Sequence, residues 1–173
     1  MVDERIKKLA KILVEYSTSV KRGDRVLIHT DFEAKDLALE VLKEVLRRGA
    51  YPRVKCSLPG ATHAFLKYAS EEQLKHFPEP DYFEIKNTDV YIALRAPLNT
   101  KELMGIDPSK ITLWRKTLKP ITEWRVEKTR WVVFYYPTNA LAQEAGMSLE
   151  DFENFVFSAS LIDWEKMSKD LYK

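Results

Sequence analysis

The chain has 173 residues, a length that suits one domain with a sizeable core. Its 28 Lys and Arg residues nearly balance 26 Asp and Glu residues, so the formal net charge is +2 and no nucleic-acid partner is expected. No apolar run approaches the ~18 residues that a membrane helix requires, so we expect a soluble protein without a membrane segment.

The first third of the chain predicts a strand, a helix and a second strand. Residues 3–19 place apolar side chains at helical spacing and form an opening amphipathic helix. A strand over Arg25–His29 follows, and Asp31 then lies where a helix N-cap would be. The helix covers Ala34–Arg48 and ends at a glycine, and Pro52–Ser57 forms the next strand. This spacing is typical of a βαβ unit, whose strands pair in parallel.

The middle of the chain predicts short helices, a third strand and a long helix. Helical patterns cover residues 60–69 and 70–77, after which two prolines break the chain into a connecting region. The near-continuous apolar run Asp89–Arg95 is typical of a buried parallel strand. A helix over residues 108–128 follows, with a kink expected at its internal proline, Pro120.

The last part of the chain turns a strand sharply into helices. Trp131–Tyr136 predicts the fourth strand, which a Pro-Thr pair ends. Helices over Asn139–Ala145 and Leu149–Leu161 follow, and a last helix runs from Trp164 to the end. Together these elements predict an α/β fold with a single domain over residues 1–173. Its mostly parallel sheet has about four or more strands, flanked by helices in a Rossmann-like three-layer arrangement, and the strand order is left open.

The amino terminus and the cysteine content predict a cytoplasmic location. The start of the chain is charged and amphipathic and lacks the apolar core of a signal peptide. The single cysteine, Cys56, excludes an intrachain disulfide framework, and we expect it to be a small buried residue at a strand end. Charged residues make up 31% of the chain and are rich in Lys and Glu, which is typical of heat-adapted proteins.

The three histidines give no complete metal site. His29 and Asp31 form an H-x-D pair at the carboxyl end of a strand, where α/β proteins bind ligands. Asp31 is better used as a helix cap, however, and no second ligand cluster is visible, so a structural role is favoured for both. His63 and His76 have no carboxylate or cysteine at metal-binding spacing and are expected to face solvent. We therefore predict no catalytic and no metal-binding residue in this chain.

A ligand crevice at the carboxyl ends of the strands is the alternative that the residues leave open. His29, Asp31, Cys56, Ser57 and Arg95 would surround it in a stand-alone small-molecule binding module. Arg95 could face a carboxylate or phosphate there, although an ion pair with a neighbouring helix is favoured. The chain has no G-x-S-x-G, G-x-G-x-x-G or P-loop motif, and its five glycines supply a phosphate cradle poorly.

A basic face with interleaved tryptophans is the remaining candidate site. Lys116, Lys119 and Arg125 alternate with Trp114 and Trp124 and could suggest a nucleic-acid surface. Glutamates share the same helix, and the tryptophans lie near helical spacing with neighbouring apolar residues. A packed face with a charged rim is therefore the favoured interpretation.

Two segments carry a resemblance to a known family. Residues 131–164, WVVFYYPTNALAQEAGMSLEDFENFVFSASLIDW, combine a Trp-led strand, a YPT corner, an AGMS turn, FxxFVF and DW in order. Upstream, VKRGDRVLI and AKDLALEVLKEVLRRGAYPRV match an opening βαβ unit. Over essentially the whole chain, the sequence resembles the N-terminal domain of the thermophilic-type metallo-aminopeptidases, the aminopeptidase T family.

The resemblance implies an enzyme that releases amino-terminal residues from peptides. Family enzymes hold two divalent metal ions, often zinc or cobalt, on glutamates, histidines and an aspartate of a C-terminal catalytic domain. That domain would be this chain's main partner, and the full enzyme is expected to be a homodimer acting on peptide substrates. The H-x-D at His29 and Asp31 is not the family's metal-binding H-x-D, so no catalytic residue carries over. We expect this chain to hold no cofactor and to be inactive alone.

Overall fold

The structure, a computed structural model, describes residues 3–171, apart from the side chains of residues 165, 170 and 171. Over this range the chain has an α/β fold in which four parallel strands form one sheet and helices cover both faces. The strands are β1 (Arg25–Asp31), β2 (Tyr51–Ser57), β3 (Val90–Arg95) and β4 (Arg130–Tyr135). They lie in the order β2-β1-β3-β4. The predicted fold class is confirmed, and the strand order that the sequence left open is decided.

Helices connect the strands in the described part of the chain. They are α1 (Glu4–Lys11), α2 (Lys35–Arg47), α3 (Ala61–Tyr68), α4 (Glu71–Lys75), α5 (Glu79–Lys86), α6 (Pro108–Lys128), α7 (Asn139–Glu144), α8 (Leu149–Ser160) and α9 (Trp164–Leu171). A π-helical segment, Ile12–Ser17, continues α1, and a 3₁₀ turn, Phe32–Ala34, precedes α2. The predicted opening helix is thus present, but its second half is π-helical rather than α-helical. The last two residues of the predicted final helix lie outside the described residues.

Several helix ends form as the sequence predicts. Ser70 and Gln73 make both bonds of the capping box on α4. Ser148 Oγ accepts from the N–H of Asp151 at 3.1 Å and starts α8. Gly49 ends α2 with a φ of +69°, a left-handed conformation that glycine adopts without steric cost.

The helix α5 is a difference from the sequence prediction. The pattern predicts only a connecting region here, because prolines at positions 78 and 80 should break a helix. In the structure Pro80 lies in the first turn of α5. A proline is tolerated there because the N–H groups of a first helical turn have no partner within the helix.

The chain covers the two faces of the sheet with different helices. The larger core packs α1, α2 and α8 against the even-numbered residues of β1 and β3, such as Ile28 and Ile92. On the opposite face α5 and α6 cover Leu27 and Tyr91. Trp124 and Ile121 of α6 pack into this second cluster, which supports the packed-face interpretation of α6 over a nucleic-acid surface.

The strand order creates a switch point between β1 and β3. From β1 the chain moves to β2 by way of α2 on one face, whereas from β3 it moves to β4 by way of α6 on the other. The segments that follow β1 and β3 therefore diverge, and α/β folds bind ligands in the crevice that such a divergence opens. Among the described helices, none is both long and apolar enough to cross a membrane.

Candidate functional site

A crevice of about 290 Å³ opens at the carboxyl ends of β1, β2 and β3. Asp31 of β1, Ser57 of β2 and Arg95 of β3 line it, together with the segments that follow these strands. Three of the five predicted crevice residues thus meet in one place. Its volume lies near the lower limit of ligand pockets, about 300 Å³, so it suits a small molecule.

The Asp31 carboxylate fixes the floor of this crevice. Its Oδ2 accepts from the backbone N–H of Ala96 at 2.8 Å, and Arg95 Nη1 lies 3.4 Å from Oδ1. The side chain makes no capping bond to the following 3₁₀ turn, so the predicted helix-cap role is wrong. The predicted pairing of Arg95 with a helix is also wrong. Parallel pairing of β1 with β3 puts the two strand ends side by side, and the charges meet there.

His29 does not line the crevice but lies directly behind it. Its Nε2 is 3.0 Å from Ser57 Oγ, and its Nδ1 is 2.8 Å from the hydroxyl of Tyr91. Burial, followed by the positive charges of Arg95 and Lys55, lowers the pKa of His29 to about 4. The imidazole is therefore neutral at neutral pH, with one ring nitrogen carrying the hydrogen.

Cys56 is the predicted crevice residue that the structure places elsewhere. It is exposed on β2, and the expectation of a small buried residue is wrong. β2 is an edge strand, so its side chains have a neighbouring strand on one side only. Because adjacent residues of a strand point to opposite faces, Cys56 points away from the face that carries His29.

The sequence does not predict the charged side chain that lies next to His29. Lys55 pairs in register with His29, and its Nζ lies 2.5 Å from Asp81 Oδ1 and 3.2 Å from Glu84 Oε2, both on α5. No sequence motif marks Tyr91 either. Only strand pairing and the unpredicted helix α5 bring these side chains to His29, and no local motif signals them.

The possible metal ligands among the described residues do not form a cluster. No group of three or more His, Cys, Asp and Glu side chains is placed to hold a metal ion among the residues that the structure describes. Both ring nitrogens of His29 and both oxygens of Asp31 already have protein partners. His76 is exposed as predicted, whereas His63 is half-buried.

A family model described as thermophilic metalloprotease (M29) matches residues 2–171. The chain belongs to the M29 family. The match covers nearly the whole chain, in agreement with the resemblance of the YPT corner and the opening βαβ unit. A comparison with curated proteins gave no match.

One solved structure has the same fold as this chain. Wild-type AmpT from Thermus thermophilus superposes with a TM-score of 0.72 at 19% sequence identity. The match covers 91% of this chain and 43% of that chain, so this M29 chain spans less than half the length of AmpT. An alcohol dehydrogenase superfamily protein from Novosphingobium aromaticivorans gives a TM-score of 0.37 at 12% identity, covering 90% of this chain and 47% of that chain. That score is too low to carry an argument.

Proposed function

We propose that this chain is the N-terminal domain of an M29 metallo-aminopeptidase, an enzyme that releases amino-terminal residues from peptides. The carrying observation is the family match over residues 2–171, combined with a span of only 43% of AmpT. In this proposal the chain is a scaffold that helps to enclose the active site. The catalytic residues belong to a C-terminal catalytic domain of the same enzyme.

The proposal places the metal pair, zinc or cobalt, on that C-terminal domain. A two-metal site on that domain would supply Lewis-acid polarisation of the scissile carbonyl and a hydroxide nucleophile. Such a site needs several carboxylate and imidazole ligands around each ion, and the described residues bring no such group together. We therefore derive no catalytic step from the residues of this chain.

Hydrolysis of a leucine anilide by the purified 173-residue chain tests this function. We expect no turnover with added zinc or cobalt, and metal analysis after dialysis should find no stoichiometric metal. Turnover that appears with metal and disappears with EDTA would overturn the scaffold role. One or two tightly bound ions per chain would overturn it as well, because they would place the metal site within this chain.

An exposed apolar column on β4 supports packing against another part of the enzyme. Trp131, Val133 and Tyr135 point to one face of this edge strand and are 42%, 37% and 57% exposed. They lie in register with Tyr91, Ala93 and Arg95 of β3, so the column runs along the sheet toward the crevice. An apolar edge strand of this kind favours association. We propose that the C-terminal domain covers it in the full enzyme.

Binding of the dye ANS and sedimentation of the isolated chain test this surface. We expect ANS fluorescence or self-association, and both should fall when Trp131 is changed to Ser. Tyr68→Ser is the matched control, because Tyr68 is an exposed aromatic residue on α3. A monomer that binds no ANS, or equal effects of the two substitutions, would count against the proposed packing surface.

A second candidate function is that of a small-molecule binding module. It is favoured by the crevice between β1 and β3, where Asp31, Ser57 and Arg95 converge at the position typical of α/β ligand sites. A thermal-shift screen with small carboxylates and phosphates would test it. We expect any stabilising ligand to lose its effect in Arg95→Gln, and a screen without a stabilising compound would remove this candidate.

A further inference from the structure

Three side chains on neighbouring strands form a hydrogen-bonded line that ends in the crevice. Ser57 lies at the end of β2, His29 in β1 and Tyr91 in β3. Ser57 Oγ is 3.0 Å from His29 Nε2, and His29 Nδ1 is 2.8 Å from the Tyr91 hydroxyl. These distances are those expected between a nucleophile, its general base and the group that orients the base.

Only one of the two neutral forms of His29 would activate Ser57. If Nδ1 carries the hydrogen and donates to the Tyr91 oxygen, Nε2 is free to accept the Ser57 proton. The opposite form would donate from Nε2 to Ser57 and leave the hydroxyl without a base. Tyr91 is buried, with the Arg125 guanidinium 5.2 Å from the centre of its ring, so the orienting hydroxyl is held in place.

The surroundings of Ser57 offer space and polar groups for a reacting carbonyl. Ser57 is the last residue of β2 and lies on the crevice wall, four residues before the helix α3 begins. The next residue, Leu58, also lines the crevice, and its backbone N–H finds no acceptor among the residues that the structure describes. In many hydrolases the N–H after the nucleophile binds the oxyanion. The Arg95 guanidinium borders the same space.

We propose that Ser57 is the nucleophile of a metal-independent site that hydrolyses small carboxylic esters. Ser57 Oγ attacks the ester carbonyl while His29 Nε2 takes its proton, and the ester C–O bond breaks. His29 returns that proton to the departing alcohol, which leaves an acyl group on Ser57. Water, deprotonated by the same nitrogen, then releases the carboxylic acid and restores the serine. No oxidant, reductant or metal enters this sequence, which goes beyond the proposed peptidase function.

The charges around His29 set the pH range of this reaction. Lys55 and Arg95 oppose protonation of the ring, Asp31 and Asp81 favour it, and burial opposes it most strongly. Glu84 faces Lys55 from α5, and Arg125 lies over Tyr91 from α6. The His29 ring therefore stays uncharged well below pH 7. We expect ester hydrolysis to persist to about pH 5 and to fall near pH 4.

Hydrolysis of p-nitrophenyl acetate by the full chain in EDTA tests the proposal. We expect turnover above the buffer rate, a loss of about 100-fold or more in kcat/KM for Ser57→Ala, and no change for the exposed control Ser158→Ala. A fluorophosphonate should label Ser57, as located by mass spectrometry. An unchanged rate in Ser57→Ala, or neither turnover nor labelling in the wild type, would overturn the assignment. EDTA resistance separates this result from the proposed metallo-aminopeptidase.

A second pair of measurements tests the role of His29 independently. Nitrogen NMR of the imidazole should find the hydrogen on Nδ1, and Tyr91→Phe should lower kcat more than it raises KM, because Tyr91 is a positioning residue. The wild-type rate should fall near pH 4, and this fall should be absent in His29→Gln. A hydrogen on Nε2, or a wild-type acid limb near pH 6.5, would show that His29 is not the base and would overturn the proposal.

Discussion

The neutral, buried state of His29 predicts a specific pH dependence of stability. The ordinary pKa of a histidine is near 6.5, whereas burial next to Lys55 and Arg95 lowers the pKa of His29 to about 4 in the folded chain. Between these values the unfolded chain binds a proton that the folded chain does not. The free energy of unfolding therefore falls as the pH is lowered through this window, and the contribution of the neutral ring is fully present above about pH 6.5.

The size of this effect follows from the two pKa values. Proton linkage lowers the free energy of unfolding by about 2 kcal/mol at about pH 5 and by about 3 kcal/mol at about pH 4, relative to neutral pH. Urea unfolding of the wild type and of His29→Gln at several pH values measures it. The variant keeps a side chain that can hydrogen-bond Ser57 or Tyr91 but does not titrate. Both proteins contain the same carboxylates, so the effect of these groups cancels when the unfolding free energy of one protein is subtracted from that of the other.

The difference in stability between the two proteins should have a definite sign. On acidification from about pH 7 to pH 5, the wild type should lose about 2 kcal/mol more stability than His29→Gln. A difference that stays flat over this range would mean that His29 titrates equally in the folded and unfolded chains. A difference of the opposite sign would mean that a carboxylate such as Asp31 dominates over burial and the two cations.

Three substitutions test the packing and the helix ends by urea unfolding. Leu37→Ala in α2 should cost about 2–5 kcal/mol because the side chain is fully buried, and a loss under 1 kcal/mol would contradict the core assignment. Lys110→Met should cost about 1–3 kcal/mol, since the ammonium contacts three carbonyl oxygens at the end of α3; a neutral effect would show that these contacts contribute nothing. Ser148→Ala should cost about 1 kcal/mol through loss of the α8 cap, whereas Ser158→Ala on the same helix should change stability by under ~0.5 kcal/mol.

The contacts around the β4-to-α7 corner give it a structural role. Thr138 caps α7 by accepting from the N–H of Leu141 at 3.3 Å, and its hydroxyl donates to the carbonyl of Pro97 at 2.8 Å. Gly146 has a φ of +67° and precedes the cap of α8. The corner thus ties β4 to the segment that follows β3. Thr138 of the YPT corner thereby holds the edge strand β4 in place.

Local signals in the sequence determined the elements of this protein. Apolar periodicity fixed α2 and the four predicted strands, since a buried strand and an amphipathic helix each require their own spacing of apolar side chains. Capping residues such as Ser70 and Ser148 fixed helix starts, because they satisfy N–H groups that the helix itself leaves without partners. The YPT corner and the βαβ unit were enough to indicate the family.

Only the tertiary structure decided which residues meet at the crevice. Asp31 is a residue type that often caps helices, and it lies directly before a helical turn. Its carboxylate nevertheless accepts a hydrogen bond from the N–H of Ala96, 65 residues along the chain, because β1 and β3 are neighbours. Cys56 became exposed because β2 is an edge strand. The hydrogen-bonded line from Ser57 through His29 to Tyr91 joins three strands. No local sequence pattern predicts the order of these strands in the sheet. Contacts between distant segments depend on pairing and register, and a single sequence does not encode these in any short motif.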